Sequence, residues 1–121
     1  MADTHLSIRL DLANGDRIGP GKIALLEAIR SEGSISAAAR RIGMSYRRAW
    51  LLVEQTNETL RQPAVATVTG GEHGGGAVVT PAGERIIELY RTIEGLARGS
   101  AHEEFRAIAM LVRRGKRRET K

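Results

Sequence analysis

The segment Ser45-Tyr46-Arg47-Arg48 carries the residue types best able to do chemistry in this chain. A serine at the foot of an amphipathic stretch reads as a helix N-cap, its hydroxyl accepting a backbone N–H from the turn that follows. Tyr46, Arg47 and Arg48 then occupy the first turn. A helix start is partly positive, so each arginine there is unfavourable by about 0.3–1 kcal/mol, and selection for stability alone would favour Asp or Glu. The pair makes sense if guanine O6/N7 or phosphate oxygens supply the missing negative partner. The competing reading is a solvated polar face. Between Glu32 and Glu54 there is no acidic residue, while Arg40, Arg41, Arg47 and Arg48 all lie there. Arg40 and Arg41 close the preceding helix, where cations suit the dipole unaided, so phosphate contact at these two stays open. Ser34 and Ser36 are caps first, although a hydroxyl at a helix start can also hold a phosphate.

The remaining candidates are weaker. Trp50 follows Tyr46 by four residues, a helical contact spacing, and reads as a packing anchor ahead of a stacking platform. For Tyr46 both a nucleic-acid-facing and a packed position stay open. The glycine-rich run Gly70-Gly71-Glu72-His73-Gly74-Gly75-Gly76 lacks the Gly-Lys-Ser/Thr of a phosphate-binding loop. It suits a hairpin tip whose backbone comes close to a partner, or a loop that touches nothing. His5, His73 and His102 fall in different elements without metal-ligand spacing, so no metal site is expected. No nucleophile–base pair can be read, and no enzyme is expected.

Positioning these residues requires a particular order of elements. Leu6, Ile8, Leu10 and Leu12 alternate with polar residues, the period of a half-buried strand. Asn14-Gly15 is a hairpin turn signal, and Asp16-Arg17-Ile18 suits a short return strand. After Gly19-Pro20 the pattern is helical, with Ile23, Leu26 and Ile29 on one face, until Glu32-Gly33 ends it. A short alanine-rich helix follows and stops at Gly43. The helix capped by Ser45 runs to about Leu60, with Ala49, Leu52, Val53, Thr56 and Leu60 along one side. Two helices joined by a glycine-containing turn form a helix-turn-helix pattern. Val65–Thr69 and Ala77–Thr80 read as strands around the glycine loop. Thr80-Pro81 opens a last long helix with Ile86, Leu89, Tyr90, Ile93, Leu96 and Ala97 as its apolar stripe. A break is expected near Gly99-Ser100, with Phe105, Ile108 and Val112 continuing the stripe.

Composition bounds the partners. The chain has 121 residues, four aromatics and no cysteine, which excludes disulfides and thiolate metal sites and suits a reducing cytosol. The net charge of +5 misleads: residues 113–121 hold six basic residues and one acid, and residues 1–112 are neutral overall. Such a tail contributes only non-specific attraction to DNA. No apolar run approaches the roughly 18–20 residues of a membrane span, and the first residues do not resemble a signal peptide. A cytoplasmic location without membrane contact is expected.

Gly33-Ser34-Ile35-Ser36, Ala39, Gly43-Met44-Ser45-Tyr46, Ala49-Trp50 and Asn57, with Thr69-Gly70-Gly71, Gly74-Gly75-Gly76-Ala77-Val78-Val79-Thr80 and the stretch from Gly83 to Tyr90, resemble the N-terminal DNA-binding domain of the ModE molybdate-responsive regulators. That domain is related to the LysR-type winged helix. The resemblance covers roughly residues 6–98. It implies a homodimer reading a palindromic operator, with Ser34, Ser36, Ser45, Tyr46, Arg47 and Arg48 on the helix-turn-helix and Gly70–Gly76 on the wing. The β-barrel molybdate domains of ModE proteins have no counterpart in this sequence, so a single-domain member is expected, without a sensor to support molybdate or another oxyanion as cofactor.

The combined reading is a mainly α fold with small β elements: a winged helix-turn-helix domain over residues 1–98 with an N-terminal β-hairpin, a helical extension over 99–112 and a basic tail over 113–121. The expected partner is double-stranded DNA, held by Ser34, Ser36, Arg40, Ser45, Tyr46, Arg47, Arg48, Thr69, Gly71, Gly74 and Gly75. The expected dimer contact is Ile86, Leu89, Tyr90, Ile93, Leu96, Phe105 and Ile108. Two rivals are kept: an oxyanion or metal effector bound in this domain or at the dimer interface, and a winged-helix module that docks a protein without reading DNA.

Overall fold

The computed structural model describes residues 4–68 and 75–113. Nine elements follow one another: β1 (Leu10–Asp11), β2 (Arg17–Ile18), α1 (Pro20–Glu32), α2 (Ile35–Arg41), α3 (Tyr46–Thr59), β3 (Val65–Val68), β4 (Gly76–Val79), α4 (Pro81–Ser100) and α5 (His102–Leu111). The described part is mainly helical, with two separate two-stranded antiparallel sheets, β1–β2 and β3–β4.

The first helix is the hub. Pro20 starts it, where a missing N–H costs nothing, and Gly33 ends it with a φ of +79° that non-glycine residues avoid. It buries Ile23, Leu25, Leu26, Ala28 and Ile29. It packs against α2, α3, α4 and β4. Ala38, Ala39 and Ala49 are fully buried at the junction of the helices; residues without a long side chain let the helix backbones approach.

The N-terminal strand is shorter than its alternation suggests. Only Leu10↔Ile18 and Asp11↔Arg17 pair. The return strand meets Gly19-Pro20 and turns into α1, so Leu6 and Ile8 have no ladder partner. Ile8 is instead held by Tyr90, whose hydroxyl donates to its carbonyl at 2.7 Å.

Tyr90 corrects an expectation. The sequence pattern puts it in the dimer contact, but it is fully buried in the core. The α4 stripe is in fact two stripes. Gly83, Ile87, Tyr90 and Glu94 face inward, at spacings of four, three and four residues. Leu89, Ile93 and Leu96 face outward, and Ile86 sits between, half-buried against the core. Adjacent residues of a helix point about 100° apart, and on α4 that rotation carries Tyr90 into the core and leaves Leu89 outside it. Burial pushes the Tyr90 phenol above its ordinary pKa, with the Glu94 carboxylate adding to the effect.

Arg91 ties α4 to α1. Its guanidinium donates to both Glu27 carboxylate oxygens, at 2.8 and 2.9 Å, and to Glu94 at 2.8 Å. It also lies 5.7 Å from the Tyr90 ring centroid. The hydrogen bonds from Arg91 hold the Glu27 carboxyl below the usual carboxylate range. At its C-terminal end α4 stops at Ser100, and α5 begins after the single residue Ala101.

Candidate nucleic-acid interface

The turn between α2 and α3 spans four residues. Gly43 supplies the positive φ it needs, +72°. Ser34 and Ser45 cap the two helices: Ser34 Oγ accepts from Ala37 N–H and Ser45 Oγ from Arg48 N–H, each at 3.1 Å. Ser36 is exposed one residue inside α2. The caps fix where α3 begins, and so fix which side chains occupy its first turn.

α3 buries Ala49, Leu52, Val53 and Thr56 against the core. Its outer face presents Arg47, Leu51 and Glu54, all exposed. Arg47 and Arg48 are exposed, and the first turn holds no acidic residue. Among the described residues neither enters an ion pair, and neither does Arg40; Arg41 is paired with Glu32 at 2.7 Å. Arg40 and Arg41, equal on sequence, are thereby distinguished: one cation is already neutralised and the other is not.

Two clefts flank this face. The first, about 260 Å³, lies between α3, the start of α2 and the β3–β4 hairpin. Tyr46, Trp50, Ser34, Ser36, Thr67 and Gly75 are among its lining residues. Tyr46 and Trp50 are 52% and 38% exposed, so Trp50 is a half-packed wall and not a core anchor. The second cleft, about 460 Å³, lies on the opposite flank, between α3 and the N-terminal hairpin; Arg48, Gln55 and Thr59 line it from α3. Arg47 and Arg48 therefore serve different surfaces although adjacent in sequence, because a helix turns about 100° per residue.

The β3–β4 hairpin is held in register with α3 by one side chain. Asn57 Oδ1 accepts from Ala64 N–H at 2.8 Å and Val65 N–H at 3.0 Å, while Nδ2 donates to Val65 C=O at 3.1 Å. β4 is anchored to the end of α1 through Ala77 N–H to Gly33 C=O, 2.9 Å. Thr80 caps α4 and donates its hydroxyl to Pro63 C=O at 2.6 Å.

The structure thus brings Ser34, Ser36, Tyr46 and Gly75 together around one cleft, with Arg47 beside Trp50, Leu51 and Glu54 on the outer face of α3 and Arg48 on the far flank. Thr69, Gly71 and Gly74 lie outside the described residues, as do residues 114–121 of the basic tail. Arg9, Arg17 and Lys22, which no sequence pattern singles out, line the second cleft beside Arg48. Their spacing carried no signal; folding of the N-terminal hairpin onto α3 brings them there. Among the described residues no group of three His, Cys, Asp or Glu could hold a metal ion. No helix among them is long and apolar enough to cross a membrane.

No protein-family model matches the chain. It is 52% identical over 80 residues to the molybdenum-pterin-binding protein MopB of Rhodobacter capsulatus, covering 66% of this chain and 30% of that protein. It is 41% identical over 85 residues to the molybdenum transport protein ModE of Azotobacter vinelandii, covering 70% and 32%. It is 44% identical over 71 residues to the DNA-binding transcriptional dual regulator ModE of Escherichia coli K12, covering 59% and 27%. The chain is a relative of ModE and MopB. It spans about three-tenths of the length of these curated relatives, and the similarity supports the ModE family. The ModE relative from Escherichia coli is a DNA-binding regulator by name, and neither its name nor those of MopB and the Azotobacter ModE is that of an enzyme.

Proposed function

We propose that this chain is a winged helix-turn-helix transcriptional regulator of the ModE type, in which α2 and α3 form the helix-turn-helix, the β3–β4 hairpin is the wing, and a homodimer reads a palindromic operator. The observation that carries this reading is the first turn of α3: two exposed arginines, with no acidic neighbour in that turn and no ion pair among the described residues, on a helix whose outer face is otherwise uncovered. A B-DNA major groove, about 12 Å wide, admits one helix. Arg47 on the leading face is suited to a guanine edge. Ser34 and Ser36 lie where a phosphate strand would run, and the helix start supports an anion there.

A protein-docking module has no use for an uncompensated cationic first turn, which favours DNA over that rival. Residues 1–98 form the DNA-binding unit in this reading and residues 99–112 the extension. The outward stripe Leu89, Ile93 and Leu96 on α4, with Ile108 on α5, supplies apolar surface for the second subunit. Phe105 is half-buried toward the N-terminal segment and contributes less than the others.

The test is a footprint on the DNA upstream of the chain's own gene, followed by Arg47→Ala. Removal of a bidentate base contact costs about 1–3 kcal/mol per half-site, roughly 5- to 150-fold in affinity for each subunit's contact, and relaxes preference at one position of each half-site. Equal affinity of Arg47→Ala and wild type for the mapped operator would overturn the assignment.

A further inference from the structure

The second cleft is a cationic surface that, Arg48 apart, the helix-turn-helix reading leaves unused. Arg9, Arg17, Lys22 and Arg48 line it, against one acid, Asp16. They come from three places in the chain: the N-terminal hairpin, the start of α1 and the start of α3. Arg9 is paired with Asp11 at 3.0 Å. Lys22 donates to the Arg17 carbonyl, at 2.9 Å, and among the described residues it enters no ion pair. Arg17 and Arg48 enter no ion pair among the described residues. Asp16, the one acid, already accepts the Thr59 hydroxyl at 2.9 Å, a bond that pins the hairpin to the end of α3. Gly21 leaves the floor open, with nothing near its missing side chain.

A major groove is bounded by two phosphate strands, one on each side of an inserted helix. The wing-side flank of α3 offers hydroxyls and backbone; the opposite flank offers this cationic cleft. We propose that the cleft is the seat of the second phosphate strand, with Arg17, Lys22 and Arg48 contacting successive backbone phosphates of the same duplex whose bases meet Arg47. The N-terminal hairpin is then a DNA-contacting element in its own right. This inference rests on the DNA-binding reading above. The shared chemistry is that of a phosphate oxyanion, and the alternative source is a free inorganic oxyanion occupying the cleft as an effector.

Binding of the full chain to its mapped operator and to an unrelated duplex is measured across a salt series, for wild type, Arg17→Gln, Arg17→Gln/Lys22→Gln and Arg47→Ala. Each lost phosphate contact lowers the slope of log K against log salt by about 0.9. In the homodimer each substitution removes two such contacts, one per subunit, so the double variant is expected to lose about 4 units of slope. It should bind both duplexes more weakly by the same factor and keep its base preference. Arg17→Gln, which removes a guanidinium that enters no ion pair among the described residues and spares the Lys22 bond, should show half the change in slope. Unchanged slope and affinity in both variants, with Arg47→Ala still impaired, overturns the cleft assignment and leaves the DNA-binding reading intact. A wild-type chain that binds neither duplex overturns both. A thermal-shift titration with inorganic phosphate and molybdate separates the sources. Saturable stabilisation that is lost in Arg17→Gln, alongside unaltered DNA slopes, assigns the cleft to a free oxyanion and refutes the proposal.

Discussion

Three glycines of α4 should respond to the same substitution with opposite signs. In an exposed helix interior, Gly→Ala stabilises by about 1 kcal/mol, because alanine restricts the unfolded chain and shields the backbone. Gly95 is such a site: nothing lies within 4 Å of where a Cβ would be, and the residue is exposed. Gly99 is similar but sits in the last turn, so its gain is smaller. Gly83 is different. A Cβ there would meet the Ala64 carbonyl oxygen well inside contact distance and Val79 Cγ1 at 2.6 Å. The carbonyl belongs to backbone that cannot rotate away, since Ala64 C=O accepts Thr80 N–H at 2.9 Å and Ala64 N–H is held by Asn57. Relief requires α4 to lift off the β3–β4 hairpin. Overpacking of this kind costs about 1–3 kcal/mol, and weakening the Thr80 bond adds about 1. After the propensity gain of about 1, Gly83→Ala should be destabilised by about 1–3 kcal/mol, while Gly95→Ala should be stabilised by about 0.5–1. For a domain of this size 1 kcal/mol corresponds to about 4 °C in Tm. Urea unfolding followed by circular dichroism reads both, as midpoint shifts in opposite directions at constant slope. A Gly83→Ala protein at least as stable as wild type would refute the close approach of α4 to Ala64.

Other outcomes follow from the same contacts. Asn57→Ala removes three hydrogen bonds between α3 and β3, at about 1 kcal/mol each, and should lower stability by about 2–4 kcal/mol; Asn57→Asp keeps both accepting bonds to the N–H groups and should cost less in the same denaturation assay. Glu27 has a folded pKa below its ordinary 4.5, so its pairing with Arg91 stabilises the fold above that pH and is lost as pH falls through the lowered value. Melting curves between pH 6 and pH 3 should fall less steeply for Glu27→Gln than for wild type; equal slopes count against the linkage. Arg91→Ala strands Glu94, which is buried and whose one other ion-pair partner among the described residues is Arg98, 3.9 Å away, and should be more destabilising than Glu27→Gln at neutral pH. For the proposed dimer, Leu89→Glu/Ile93→Glu should shift sedimentation from dimer to monomer with little change in helix content; a wild-type chain that sediments as a monomer at micromolar concentration refutes the contact.

Much of this molecule follows from local sequence. Ser45 marks the start of α3 and Gly33 the end of α1 because a capping hydroxyl and a left-handed backbone are requirements of the few residues around them. Asn14-Gly15 makes a hairpin and Pro81 a helix start for the same reason. The order of elements, the exposed arginine pair and the break after α4 are therefore legible without coordinates. Tertiary packing decided the rest. Tyr90 and Leu89 are both apolar enough for either face of α4, and only the position of α1 beneath that helix sends one to the core and the other to solvent. The alternation of Leu6 and Ile8 suggests a strand, but a ladder needs a partner, and β2 ends too soon to provide one. Arg47 and Arg48 look like a single feature in the sequence, yet the rotation of α3 puts them on different surfaces. Arg9, Arg17 and Lys22 carry no local pattern at all. They gather beside Arg48 because Thr59 and Asp16 join the hairpin to α3 across more than forty residues of chain, and convergence over such a distance is a property of the assembled core.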